Sequence, residues 1–123
     1  MPVKYTQTGL WIEKTNDIYR IGLSEKGQDD VGEVMFIELP AYGDEIKAGD
    51  NLIGVEGAKA VTEITSPISG SVEKVHQELE DQTDLLNSED RSENWIVELT
   101  DVLGFDSAEL SNDPWFTENK NEE

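Results

Sequence analysis

The chain has 123 residues, which suits one domain around a single core and leaves little room for a second. It contains no cysteine, so disulfides and thiolate metal sites are excluded, and 28 Asp plus Glu against 9 Lys plus Arg give a formal net charge of −19. Such a surface repels phosphate backbones and anionic membranes, which argues against nucleic acid and lipid as partners. Two readings of the charge have equal weight: docking onto basic faces, or a small protein kept soluble and monomeric.

The opening MPVKYTQTGLW lacks the apolar core of a signal peptide, and no run is long and apolar enough to cross a bilayer. A soluble, cytoplasmic monomer is the expectation. LWIEK (10–14) and IYRIGL (18–23) carry β-branched and aromatic residues on either side of Thr15-Asn16-Asp17, which predicts a hairpin. Ser24 then reads as an N-cap and Gly32 as a stop for a short polar helical turn. EVMFIELP (33–40), bounded by Gly32 and Pro40, reads as a buried strand.

Two Gly-Asp pairs, Gly43-Asp44 and Gly49-Asp50, then punctuate AYGDEIKAGDNLIGVEG and predict turns between very short strands. Their spacing is not that of a dinucleotide or Walker loop. VTEITSPI and SVEKVH continue the strand pattern, with Pro67 marking a bend or an edge. Residues 77–90 predict at most a helical turn, and NWIVELTDVL (94–103) returns to alternation with Trp95, Val97 and Leu99 on one face. Residues 1–105 therefore read as one domain. Residues 106–123 read as an acidic tail, with a short helix near Ser107 to Leu110 and disorder beyond. A faint echo relates 43–56 to 70–86, both predicted as strand, turn, strand.

Many short strands with Gly-rich turns indicate a small β-sandwich or barrel. Little in the chain can do chemistry by itself. His76 is the only histidine and reads as a surface or packing residue. NSEDRSEN lacks the spacing and the central glycine of a calcium loop. No serine sits in a nucleophile elbow, and the carboxylates are too many for an acid/base pair to stand out. No metal site and no catalytic residue is predicted.

GVEGAKAV (54–61) is the exception. Lys59 falls at the apex of a predicted hairpin between Ala58 and Ala60, which leave its ammonium sterically open, and Gly57 is expected to permit a sharp turn. On these grounds alone an exposed turn lysine that merely solubilises the chain outweighs a modified one.

The wider pattern changes that balance. VEGAKAV with ITSPISGSVEKV, preceded by GEVMFIELPAYGDEIKAGD and followed by LEDQTDLLNSEDRSENWIVEL, resembles the lipoyl attachment region of the glycine cleavage H proteins. The resemblance runs from about Leu10 to about Leu99. It implies a mainly β, lipoyl-domain-like barrel-sandwich hybrid with a few short peripheral helices. Lys59 takes the lipoyl-lysine position, Glu56 the acidic position by which modifying enzymes choose that lysine, and Gly70 the turn glycine that follows. Biotinyl domains flank their lysine with methionines, and both methionines here, Met1 and Met35, lie elsewhere, so lipoate is favoured over biotin.

The implied role is a non-catalytic carrier. A lipoate-attaching enzyme acylates Lys59, and a pyridoxal-phosphate glycine decarboxylase loads an aminomethyl group onto the arm. An aminomethyltransferase and dihydrolipoyl dehydrogenase then unload and reoxidise it. The chain departs from the family in three places. Gly9-Leu10-Trp11 stands where His-Glu-Trp is usual, Arg91-Ser92-Glu93-Asn94 replaces a glycine-rich approach to Trp95, and the C-terminal helix looks weakened. These departures touch the partners more than the lysine and leave one alternative, an H-like protein relaying lipoate to other dehydrogenases or serving as a redox-signalling target. A third reading, of another class, is an acidic interaction module whose Lys59 stays unmodified.

Overall fold

The structure, a computed structural model, describes residues 3–106 and 108–115. Among the described residues nine strands form two sheets. The larger joins β1 (Val3–Tyr5), β2 (Leu10–Thr15), β3 (Ile18–Leu23), β9 (Trp95–Leu103), β8 (Ser69–Val75) and β5 (Glu45–Ile46) in that order. The smaller joins β4 (Val34–Glu38), β6 (Asn51–Gly57) and β7 (Val61–Thr65). All pairings are antiparallel. Between the sheets lies one core, to which the larger sheet contributes Leu10, Ile12, Ile21, Ile96 and Leu99 and the smaller Val34, Ile37, Leu52, Val55 and Ile64. The architecture is mainly β with short peripheral helices, as expected.

Local chemistry explains most connections. Asn16 takes φ 56° at the β2–β3 hairpin, a left-handed position that asparagine tolerates. The two Gly-Asp turns are built alike. Gly43 and Gly49 have φ of 89° and 95°, and each following aspartate accepts a backbone N–H from three residues back: Ala41 N to Asp44 Oδ2, and Lys47 N to Asp50 Oδ2, both 3.0 Å. The predicted polar turn is a full helix, α1 (Glu25–Val31), capped by Ser24 Oγ, which accepts from Gly27 N, and ended by Gly32 at φ 73°. A second short helix, α2 (Arg91–Asn94), starts at Asp90. Hydrogen bonds from the Ser92 hydroxyl (2.7 Å) and amide (2.9 Å) hold the Asp90 carboxyl below the usual range.

Several expectations need correction. β4 is only partly buried: Val34 and Ile37 enter the core, but Met35 and Phe36 face solvent, because β4 is an edge strand whose register slips between Val34 and Phe36. Trp95, Ile96 and Val97 are all buried, since β9 lies centrally and both of its faces are covered at that end. The echo fails in its second half, where β8 is followed by two 3-10 turns, Gln77–Glu80 and Thr83–Asn87, and not by a second strand. Ala108, Glu109 and Leu110 belong to no helix; Ser107 and residues 116–123 lie outside the described residues. The chain after β9 instead returns to the sheet, where Tyr5 and Ser111 exchange two backbone hydrogen bonds of 2.8 and 3.0 Å.

His76 is a packing residue. Its ring stacks on Trp95 at 4.4 Å between centroids, and Nδ1 lies 2.7 Å from the Trp95 carbonyl oxygen.

Candidate functional site

Lys59 stands at the tip of the β6–β7 hairpin. Glu56 pairs with Val61, and the turn closes where Gly57 N donates to Ala60 O at 2.9 Å. Gly57 is not needed for backbone freedom, contrary to expectation, because its φ is not positive. It is needed for space: a Cβ there would sit 2.1 Å from the Val31 carbonyl oxygen. The hairpin tip thus rests directly on the end of α1.

That end of α1 has carbonyls without intrahelical partners, and the tip supplies donors for them. Lys59 N donates to Val31 O at the helix end, and Ala58 N donates to Glu33 O just beyond it, both at 2.9 Å. The Lys59 side chain extends the pattern. Nζ donates to Asp29 O at 2.8 Å and lies 3.9 Å from Asp29 Oδ1, while its methylenes cross Gly32, where a Cβ would come within 2.9 Å of Cγ and Cδ. A cation at a helix C-terminus is favoured by the aligned carbonyl dipoles. The side chain is nevertheless 59% exposed, so a reacting enzyme can approach it.

Behind this platform two amides from different elements hold α1 in place. Asn87 Nδ2 donates to Gly32 O and Asn87 Oδ1 accepts from Val34 N, each at 2.9 Å. Gln28 Nε2 donates to the carbonyls of Leu86 and Ser88. Neither residue stood out in the sequence, since their partners are 53 to 60 positions away. A run of polar residues around two short turns gives no hint of such a contact.

Glu56 is exposed on the outer face of β6, and its carboxylate makes no hydrogen bond or ion pair among the described residues. Gly70 does not stand at a turn. It lies buried within β8 opposite Ile46, where a Cβ would be 2.9 Å from Thr100 O. Lys59 and Glu56 therefore share one hairpin, and Gly70 belongs to the other sheet.

The two departures near Trp11 and Trp95 meet in space. The Trp11 indole N–H donates to Asn94 Oδ1 at 2.8 Å, and Asn94 Nδ2 donates to Ser88 O. Gly9, at φ 103°, faces Gly27 so closely that a Cβ would lie 2.6 Å from the Gly27 Cα. Beside them opens a cavity of about 330 Å³ lined by Tyr5, Trp11, Gln28 and Arg91 among others. Among the described residues no cluster of His, Asp or Glu could hold a metal ion. Nor is any helix among them long and apolar enough to cross a membrane.

Comparison with known proteins agrees with this arrangement. The profile of the glycine cleavage H-protein family matches residues 3–122. The glycine cleavage system H protein of Listeria welshimeri is 36% identical over 112 residues, covering 90% of each chain. That of Shewanella loihica is 36% identical over 111 residues, covering 89% of this chain and 84% of the other. The crystal structure of a glycine cleavage system H protein from Mycobacterium marinum superposes with a TM-score of 0.72 over 85% of this chain and 91% of that one. At 22% identity it speaks for the fold. With the match spanning nearly the whole chain, this protein belongs to the glycine cleavage H-protein family, whose members are non-catalytic lipoyl carriers.

Proposed function

We propose that this chain carries lipoate in amide linkage on Lys59 and moves an aminomethyl group and reducing equivalents between the enzymes of glycine cleavage. The observation that supports it best is the pose of Lys59: an exposed amine between two alanines, at the tip of a hairpin braced on α1. With the side chain 59% exposed, a long acyl chain can leave Nζ towards solvent. When bound, the group supplies a cyclic disulfide that accepts a one-carbon amine and two electrons.

The chain's own residues prepare the attachment. Nζ must leave Asp29 O and lose a proton before its lone pair can attack an activated acyl donor. Ala58 and Ala60 leave room for that donor. Glu56, unpaired among the described residues and three positions before Lys59, offers a charge by which the attaching enzyme selects this lysine from seven. Gly70 supports the site only at a distance, by letting β8 pack tightly on β9. The partners are the pyridoxal-phosphate decarboxylase, the aminomethyltransferase and dihydrolipoyl dehydrogenase. The protein itself contributes high local concentration and no catalytic group.

The test is intact-mass measurement after incubation with a lipoate ligase, ATP and lipoate, followed by exchange of glycine's carboxyl carbon with the decarboxylase. A lipoyl mass increment in wild type that disappears in Lys59→Arg is the expected result, together with exchange that depends on the increment. An increment that survives Lys59→Arg would overturn the site. Acylation without exchange would favour the second reading, a lipoate relay or redox target outside glycine cleavage. The substitutions around Trp11 and Asn94 support that reading.

A further inference from the structure

The outer face of the three-stranded sheet leaves large apolar side chains in solvent. Phe36 is 56% exposed, Val61 75% and Met35, at the adjoining bulge, 66%. The register sets Phe36 opposite Glu56 and Glu56 opposite Val61, so one row across the three strands reads Phe, Glu, Val. The next row on the same face reads Glu38, Gly54, Glu63. Between them runs a shallow groove of about 120 Å³, open because Gly54 has no side chain. Scattered exposed apolar residues are ordinary, but these are neighbours on one face.

Charge identifies what covers the patch. A second copy docked by a two-fold axis would bring Glu38, Glu56 and Glu63 against the same carboxylates. A partner with an apolar side chain flanked by guanidinium or ammonium groups fits both features. The apolar group seats between Phe36 and Val61, and a long basic side chain lies over Gly54 between Glu38 and Glu63. Glu63 already accepts from Asn51 Nδ2 at 2.9 Å, which fixes its carboxylate beside the groove. The row ends where the hairpin turns, three residues before Lys59 on β6 and two after it on β7. A partner seated here has its own active centre at Nζ.

We propose that the Phe36–Glu56–Val61 face is the docking patch for the enzyme that acylates Lys59, and that this enzyme presents an apolar side chain beside basic ones. The proposal rests on the carrier reading of Lys59. Its test is the rate of Lys59 acylation by a lipoate ligase with ATP and lipoate, followed by intact mass over a range of carrier concentrations. The double variant Phe36→Ser/Val61→Ser changes only exposed positions, and its fold is checked by circular dichroism. KM for the carrier is expected to rise roughly tenfold with kcat within about twofold. Phe36→Leu/Val61→Ile should restore the wild-type KM, and Tyr42→Ser, equally exposed but on the β4–β5 connection, should leave it unchanged.

A folded double variant with wild-type KM overturns the patch while leaving the carrier reading intact, and so does an equal rise in Tyr42→Ser. A wild-type dimer in sedimentation that the double variant dissolves would overturn it in favour of a second copy. Failure of wild-type Lys59 to be acylated at all would remove the carrier reading and the patch together.

Discussion

At the scale of single residues, close approaches decide more than conformational preferences. Gly57 sits where any Cβ would overlap the Val31 carbonyl oxygen, at 2.1 Å, and backbone atoms on both sides cannot step aside. Gly57→Ala should therefore lower stability by about 2 kcal/mol in urea titration, as overpacking of a tight site does, and slow acylation of Lys59. Asn94 is buried and satisfies the Trp11 indole N–H. Asn94→Ala strands that donor and should cost about 1–3 kcal/mol, readable as a fall in denaturation midpoint together with a change in tryptophan fluorescence. The place of Lys59 at a hairpin tip was legible in the sequence from its small neighbours and the strand-like runs on either side. Its rest on α1 was not, because the residues it touches there lie far back in the chain, Asp29 at 30 positions.

At the scale of elements, the sequence disclosed turns better than faces. Asn16 and the two Gly-Asp pairs announced their connections because the turn's work is local: a left-handed backbone at Asn16, Gly43 and Gly49, and carboxylates at Asp44 and Asp50 that accept nearby N–H groups. The apolar run at 33–40 misled in part, since only Val34 and Ile37 enter the core and the bulge between them leaves Met35 and Phe36 in solvent. The supposed repeat misled as well: His76 stacks on Trp95 and the chain leaves the sheet there, so no second strand forms within 70–86. Ser24 caps the helix on which Lys59 rests, and Ser24→Ala should destabilise the fold by about 1 kcal/mol in thermal or urea unfolding. Hydrogen exchange should then show faster opening at Lys59 N, which depends on the end of α1, than at strand amides of β2 and β3.

At the scale of the molecule, charge governs behaviour. With 28 carboxylates against 9 basic side chains, association with a basic partner should weaken steadily with added salt, measured as KM for acylation between low and physiological ionic strength. Asp90 adds a small dependence on pH. Hydrogen bonds from Ser92 lower its folded pKa below the ordinary 3.8, so its contribution is complete above that unfolded value and is lost as pH falls through the lower folded one. Acid titration of Asp90→Asn against wild type should show the difference shrinking below about pH 4. The family and the two-sheet architecture were both readable from motif order along nearly the whole chain. That Trp11, next to one departure, bonds to Asn94 in another, 83 residues away, needed the fold.

The bond from Lys59 Nζ to the carbonyl of Asp29 has a consequence for mechanics. An ammonium has three hydrogens to offer and an acylated nitrogen keeps one, which is all that a single carbonyl requires. Where that bond is remade after acylation, the tether's hinge moves from the backbone out to Nζ, and the lysine's own rotors no longer contribute to its sweep. The hinge then lies over the end of α1, and the far end searches a smaller volume on that side of the protein. A spin or fluorescent label carried through an amide on Lys59 should accordingly tumble more slowly in wild type than in Gly32→Ala, whose new methyl group displaces the lysine methylenes.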